Sequence, residues 1–174
     1  SWRRVTDFPF GIADAVGLTR EGKGYVVVSH PEDARTDLWE YDPAQDAWIM
    51  LRDESVSGRF TADAGFVADN RLFIFPRYPT TYVYRPELLE YDFEMGLLIS
   101  LGKASRDAYD PHATGFGCNG KGYIIVEGSV KEYDPISDVW TQLQGVHPIR
   151  RQAGNAFVIG DKVYFGFGHQ GKTR

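Results

Sequence analysis

The chain has 174 residues, 43% hydrophobic and 14% aromatic, with 19 Gly and 9 Pro, the make-up of a folded globular protein. Its 19 Lys and Arg against 24 Asp and Glu leave a net charge of -5, the wrong sign for a binder of the nucleic-acid backbone. One cysteine, Cys118, excludes an internal disulfide and a cysteine-rich zinc site, and the apolar runs fall far short of the ~20 residues of a membrane-spanning helix, so neither nucleic acid nor membrane insertion is expected.

In chain order, Trp2-Arg-Arg-Val-Thr-Asp-Phe-Pro9 reads as a lone outer strand and its exit turn. With Ser1 in place of an initiator Met and no charged-then-apolar leader after it, the chain is expected to be a processed or excised piece. Gly17 then sits in a short strand that turns through Gly22-Lys-Gly into the buried run Tyr25-Val-Val-Val28. Glu40-Tyr-Asp42 opens a hairpin through Pro43-Ala-Gln-Asp46 to Trp48, seven residues after Tyr41. The same unit returns as Gly65, Asn70-Arg-Leu-Phe73, Glu90-Tyr-Asp92 and Leu98, and again as Gly115, Gly120-Lys-Gly-Tyr123, Glu132-Tyr-Asp134 and Trp140. A last half-unit has Ala156 and Asp161-Lys-Val-Tyr164-Phe165, after which the chain ends at Arg174. Helical periodicity is absent, and Gly and Pro interrupt the chain too often for rows of helices of ~10 or more residues.

The aromatics Tyr25, Phe73, Tyr123 and Tyr164 are spaced 48, 50 and 41 residues apart, within the ~40 to 50 residues of a four-stranded propeller blade. A β-sandwich would have no need for a repeated seven-residue offset from Tyr to Trp. The small residues Gly17, Gly65, Gly115 and Ala156 fit inner strands crowded around an axis. The Glu and Asp of each Glu-Tyr-Asp recur with the unit, so they read as structural, the Asp side chains accepting turn N–H groups.

These residues resemble the Kelch-repeat β-propellers, in particular bacterial ones with a Trp strand followed by Asp-Phe-Pro. The resemblance covers nearly the whole chain and implies an all-β propeller of Kelch blades in a single arc, residues 1 to 174. Its full four-stranded blades fall near 10–51, 60–101 and 111–144, with a partial blade made of 152–174 and the N-terminal outer strand 2–5. The family's double glycine after the second strand is replaced by Ser29-His30 and Pro76-Arg77 and reduced to Glu127-Gly128, so the loops that follow are expected to be reshaped. An arc with unfinished blades leaves apolar faces open. Val26, Val28, Phe157, Tyr164 and Phe165 are expected on those faces, and homo-oligomers through the open ends are expected, with the Trp2 strand of one copy completing the last blade of another. Trp48 and Trp140 are expected to pack between adjacent blades.

Catalytic signatures are scarce: there is no phosphate-cradling Gly-Lys-Ser/Thr loop, His-Glu-x-x-His pair or Gly-x-Ser-x-Gly elbow. Copper oxidases built on Kelch blades use a Tyr cross-linked to a Cys; here only Cys118 could serve, and its place in Gly115-Phe-Gly-Cys-Asn-Gly120 reads as a small buried hydrophobe. His30, His112, His147 and His169 show no metal-ligand spacing, and no metal or cofactor is expected. In the family, the loops between second and third strands and those between blades open on one face, where ligands bind. That register selects Arg59, His112, Arg150 and Arg151 from blade-to-blade loops and Tyr78, Tyr82 and Tyr84 from Arg77-Tyr-Pro-Thr-Thr-Tyr-Val-Tyr-Arg85. Tyrosines stack on sugars or anchor peptides, and arginine forks hold carboxylates. The resemblance implies a non-catalytic, extracytoplasmic (periplasmic or cell-surface) module that binds a protein, peptide or glycan. The alternative is a sugar-processing enzyme similar to the Kelch sialic-acid epimerases, with Arg59, Arg150 or Arg151 holding a carboxylate beside Glu127.

Overall fold

A computed structural model describes residues 2–12, 15–30, 35–51, 60–78, 87–103, 113–126, 128–144 and 154–168. Among these residues, fourteen antiparallel strands build three four-stranded sheets and one of two strands. Blade I is β1 (Ala15–Arg20), β2 (Lys23–His30), β3 (Arg35–Asp42) and β4 (Ala47–Leu51). Blade II is β5 (Thr61–Ala68), β6 (Arg71–Arg77), β7 (Glu87–Asp92) and β8 (Leu97–Lys103). Blade III is β9 (Thr114–Cys118), β10 (Lys121–Val126), β11 (Ser129–Asp134) and β12 (Val139–Gln142), and blade IV is β13 (Asn155–Ile159) with β14 (Lys162–Gly166). The first strands β1, β5, β9 and β13 touch in that order, so the sheets stand side by side as an arc of a β-propeller.

The tight turns explain the meander. Glu21-Gly22, Asp69-Asn70 and Asn119-Gly120 all take positive φ at both positions, the two-residue geometry whose twist matches paired strands. The Glu-Tyr-Asp hairpins close differently. Asp42 and Asp134 accept the N–H groups of Ala44 and Ile136 at 2.8 and 2.9 Å, which hold both carboxyls below the usual carboxylate range. Asp46 and Asp138 accept the hydroxyls of Tyr41 and Tyr133, while Glu40 and Glu132 accept from Lys23 and Lys121 and from the hydroxyls of Tyr25 and Tyr123. Each repeated acid therefore ties neighbouring strands together.

Blades pack through alternate residues. Tyr25, Val27 and Leu38 of blade I meet Leu72, Ile74 and Leu89 of blade II. The other face of blade II, with Phe66, Phe73 and Phe75, meets Ile124, Tyr133 and Trp140 of blade III. Phe116, Cys118 and Ile125 then meet Ala156, Val158 and Phe165 of blade IV, so Cys118 is the small buried hydrophobe its context suggested. Crowding at the axis holds where a preceding blade exists: a Cβ on Gly115 would overlap the backbone of Gly65, and one on Gly117 the carbonyl oxygen of Val67. It fails at Gly17, where nothing lies within 4 Å, because among the described residues no strand packs on that side of β1.

Three expectations need correction. Residues 2–12 form no strand, and Trp2 is fully exposed. The segment instead lies over the open face of blade I: Phe8 meets Trp39 and Trp48 edge-on at 5.2 and 4.9 Å, and Trp48 Nε1 donates to the Thr6 carbonyl at 3.3 Å. Trp48 thus packs under this segment and not between blades, as Trp140 does. Among the residues expected on the open faces, Phe157 and Tyr164 are exposed and Val26 is half-buried, but Phe165 lies on the other face, packed against blade III, and Val28 is 1% exposed. Val28 pairs with Asp37 and Ala15 inside its sheet.

Burial raises the pKa of Tyr25, Tyr123 and Tyr133. Tyr123 is pushed up to about 12 by burial and then by its bond to Glu132, and Tyr133 is also pushed up by burial and then by Asp138. The neutral phenols are favoured in the folded state. Their contribution is complete below pH 10, the ordinary value, and is lost as pH rises from 10 toward 12. Thermal midpoints measured across that window are expected to fall, and Tyr123→Phe is expected to flatten the fall.

Candidate functional site

The strands place two kinds of ends at opposite sides of the arc. One side holds the tight turns already accounted for by Asp and Gly. At the other lie the ends of β2, β6 and β10 and the starts of β3, β5, β7 and β9, and there the polar side chains of blades I and II gather.

In blade II the cause is local. The pairing of β5 with β6 shifts between Ala62 and Ala64, a bulge that gives β5 one extra residue, Asp63. Ala62 stays in the core toward blade I and Ala64 in the core toward blade III, so the strand changes face across Asp63. The Asp63 side chain is 6% exposed, with Oδ1 3.3 Å from Nε of Arg77, which also donates to Thr61 Oγ1 at 3.1 Å. β6 pairs with β7 only from Leu72 to Ile74, and Pro76, which has no N–H, lies beyond that ladder. The last residues of β6 are thereby released from β7, and Tyr78 turns to donate its hydroxyl to Glu87 Oε2 at 2.9 Å, its ring 6.1 Å from Phe60.

Blade I contributes a second group at the same end. His30 Nε2 is 3.0 Å from Asp37 Oδ2, and Arg35 reaches the same carboxylate with Nε at 3.3 Å from Oδ1. Phe10 packs on the His30 ring at 6.0 Å. Blade I is fastened to blade II here, since Ser29 Oγ accepts the Ala62 N–H at 2.9 Å and Thr36 Oγ1 donates to the Phe60 carbonyl at 2.7 Å.

Of the residues selected from the sequence, Tyr78 is in this cluster, half-buried and hydrogen-bonded. Arg59, Tyr82, Tyr84, His112, Arg150 and Arg151 lie outside the described residues, as do Glu127, His147 and His169. The sequence reading missed Asp63 and Glu87. A lone acid in Thr61-Ala-Asp-Ala-Gly-Phe66, an otherwise small and apolar inner strand, was the available signal. Among the described residues, no three His, Cys, Asp or Glu side chains are grouped as metal ligands would be.

A cavity of about 590 Å³ lies among the inner strands, lined by Gly17, Gly24, Val67, Gly115, Phe116 and Phe157 among others. Apart from Thr19 and Tyr25 its lining residues are glycine or apolar, so the strand-end cluster is the stronger chemical site.

No protein-family model matches the chain, and no curated protein matches it. Eighty-five chains of solved structures do. One, described as "Structure of YjhT", aligns with a TM-score of 0.69 at 15% identity over 97% of this chain and 63% of that one. The chain therefore spans less than two thirds of that protein, and at this identity the likeness establishes the propeller fold.

Proposed function

We propose that the chain is part of a Kelch-type propeller, of the periplasmic or cell-surface kind, that binds a glycan or peptide at its strand-end face. The observation that carries this reading is the polar cluster at the β5 bulge. Asp63, Arg77, Tyr78 and Glu87 provide a cation, two acids and a phenol on a face that folding alone does not require to be polar, whereas the polar groups at the opposite end are used up in turns. The Arg77 guanidinium remains one third exposed despite its contact with Asp63, leaving donors for a carboxylate or a sugar hydroxyl. Arg59, Tyr82, Tyr84, His112, Arg150 and Arg151 belong to the same proposed face by their place in the repeat.

Titration against a panel of neutral and acidic saccharides and short peptides tests the reading. Arg77→Ala should weaken binding by roughly tenfold to a hundredfold, as for loss of a charge-assisted hydrogen bond, with a thermal melt to show that the fold persists. Unchanged affinity, or a ligand mapped to the Pro43 and Pro135 turns, would remove the cluster from the site.

The carboxylates Asp63 and Glu87 of this cluster favour a second reading, a sugar-processing enzyme that exchanges protons with its substrate. An anomerisation assay on whichever sugar binds separates the two: metal-independent turnover that Glu87→Gln abolishes while binding survives would replace the binding-only reading.

A further inference from the structure

Two departures from a double glycine, Ser29-His30 in blade I and Pro76-Arg77 in blade II, meet where the two blades join. In the β5–β6 ladder Ala62 stands opposite Pro76 and Thr61 opposite Arg77. Proline brings no N–H to that pairing. The Ala62 N–H, for its part, goes to Ser29 Oγ of blade I at 2.9 Å in a buried bond, and the bulge at Asp63 interrupts the ladder at the next residue. The sheet of blade II is thus short of hydrogen bonds of its own where it carries Thr61 and Asp63, two partners of Arg77.

Blade I supplies the hold. Ser29 and Thr36 stand opposite each other in the β2–β3 pairing and continue the face of Val27 and Leu38, which packs on blade II. Ser29 takes the N–H of Ala62, and Thr36 Oγ1 donates to the Phe60 carbonyl at 2.7 Å, so the two bonds grip the backbone on either side of Thr61. Ser29 and Thr61 are each 6% exposed. With water kept out, a backbone donor that loses the Ser29 hydroxyl finds no replacement in place. Phe60, the residue Thr36 holds, is the one whose ring meets Tyr78.

We propose that Ser29, with Thr36 beside it, is a positioning residue for the polar cluster of blade II. By holding Ala62 and Phe60 it fixes Thr61 and Asp63, and these in turn aim the Arg77 guanidinium. The site is assembled by two blades although Asp63, Arg77, Tyr78 and Glu87 all belong to one. The consequence for binding rests on the reading of that cluster as a ligand site, whereas the coupling of Ser29 to Arg77 does not.

NMR of the arginine Nε–H groups and backbone amides in the 174-residue chain tests this. In the wild type the Arg77 Nε–H signal should stand apart from those of exposed arginines, and the Ala62 amide should exchange as slowly as its ladder neighbours. Ser29→Ala should move the Arg77 signal toward the exposed position and speed its exchange roughly tenfold, as loss of one hydrogen bond does, while Ser29→Thr, which keeps the hydroxyl, should leave it in place. Thr114→Val is the control. It removes a bond between blades III and IV, Thr114 Oγ1 to the Gly154 carbonyl at 2.8 Å, and should lower the thermal midpoint without moving Arg77. The same panel of saccharides and peptides should bind Ser29→Ala roughly tenfold more weakly than the wild type. An Arg77 signal that ignores Ser29→Ala, or that moves equally with Thr114→Val, overturns the proposal. A fast-exchanging Ala62 amide in the wild type also overturns it, and that measurement decides even if Ser29→Ala fails to fold. If Arg77 responds as expected but no panel member binds the wild type, the coupling of Ser29 to Arg77 is upheld and the binding-site reading is what falls.

Discussion

A valine at position 117 is expected to prevent cooperative folding, and an alanine to lower the thermal midpoint sharply. Gly117 sits in the inner strand of blade III, where a Cβ would overlap the Val67 carbonyl of blade II. Both groups are backbone in paired strands, so no side chain can rotate away. Overpacking costs about 1 to 3 kcal/mol where neighbours can adjust. Here two sheets must separate, and the cost should exceed that range, a large share of the ~5 to 15 kcal/mol that holds a domain together. The matched control is Gly17→Ala, at an inner-strand position with open space, which should change stability by less than about 0.5 kcal/mol. Thermal melts followed by circular dichroism give both values; equal losses at the two glycines would show that crowding between blades is not what requires Gly117.

Trp140→Ala is expected to cost about 3 to 5 kcal/mol and to lower the midpoint by about 10 °C. Its indole lies 4.9 Å from Tyr133 in its own sheet and 5.9 and 6.3 Å from Phe75 and Phe66 across the interface, so truncation opens a void where two blades meet. Trp48→Ala should cost less. Its partners are Tyr41 and the N-terminal segment, which can settle onto the vacated surface. Similar losses at the two tryptophans would mean that the segment around Phe8 is held as firmly as a blade.

The sequence made the blades legible because blade structure is local. The offset from Tyr to Trp is a cross-strand pair, and the structure has Tyr41 opposite Trp48, Tyr91 opposite Leu98 and Tyr133 opposite Trp140. The recurrent Glu and Asp could be read as structural for the same reason, since their partners lie within the same meander. What covers the ends of the arc depends on distant parts of the chain, and no spacing encodes it. Hence the Trp2 segment read as a strand, Trp48 as an interblade residue and Val28 as exposed. The site was harder still. Tyr78 could be found from its place after the second strand, but Asp63 owes its position to a bulge, and a one-residue shift in pairing leaves no mark on a strand's composition. Glu87 is defined by its contact with Tyr78, across a stretch of sequence with no repeat to guide the eye.

The stacking order of the sheets also governs how the molecule comes apart. Among the described residues, only blade II has a four-stranded neighbour on each side, and Phe66, Leu72, Phe73 and Leu89 within it are fully buried. Among the described residues, blade IV has two strands and packs on blade III alone, so in this chain its amides should breathe readily without disturbing the rest. Loss of that hairpin strips cover from Phe116 and Ile125, which exposes blade III in turn. Fraying then proceeds inward by whole sheets, with each interface slowing the next step, and the middle of the arc is the last part to let solvent in.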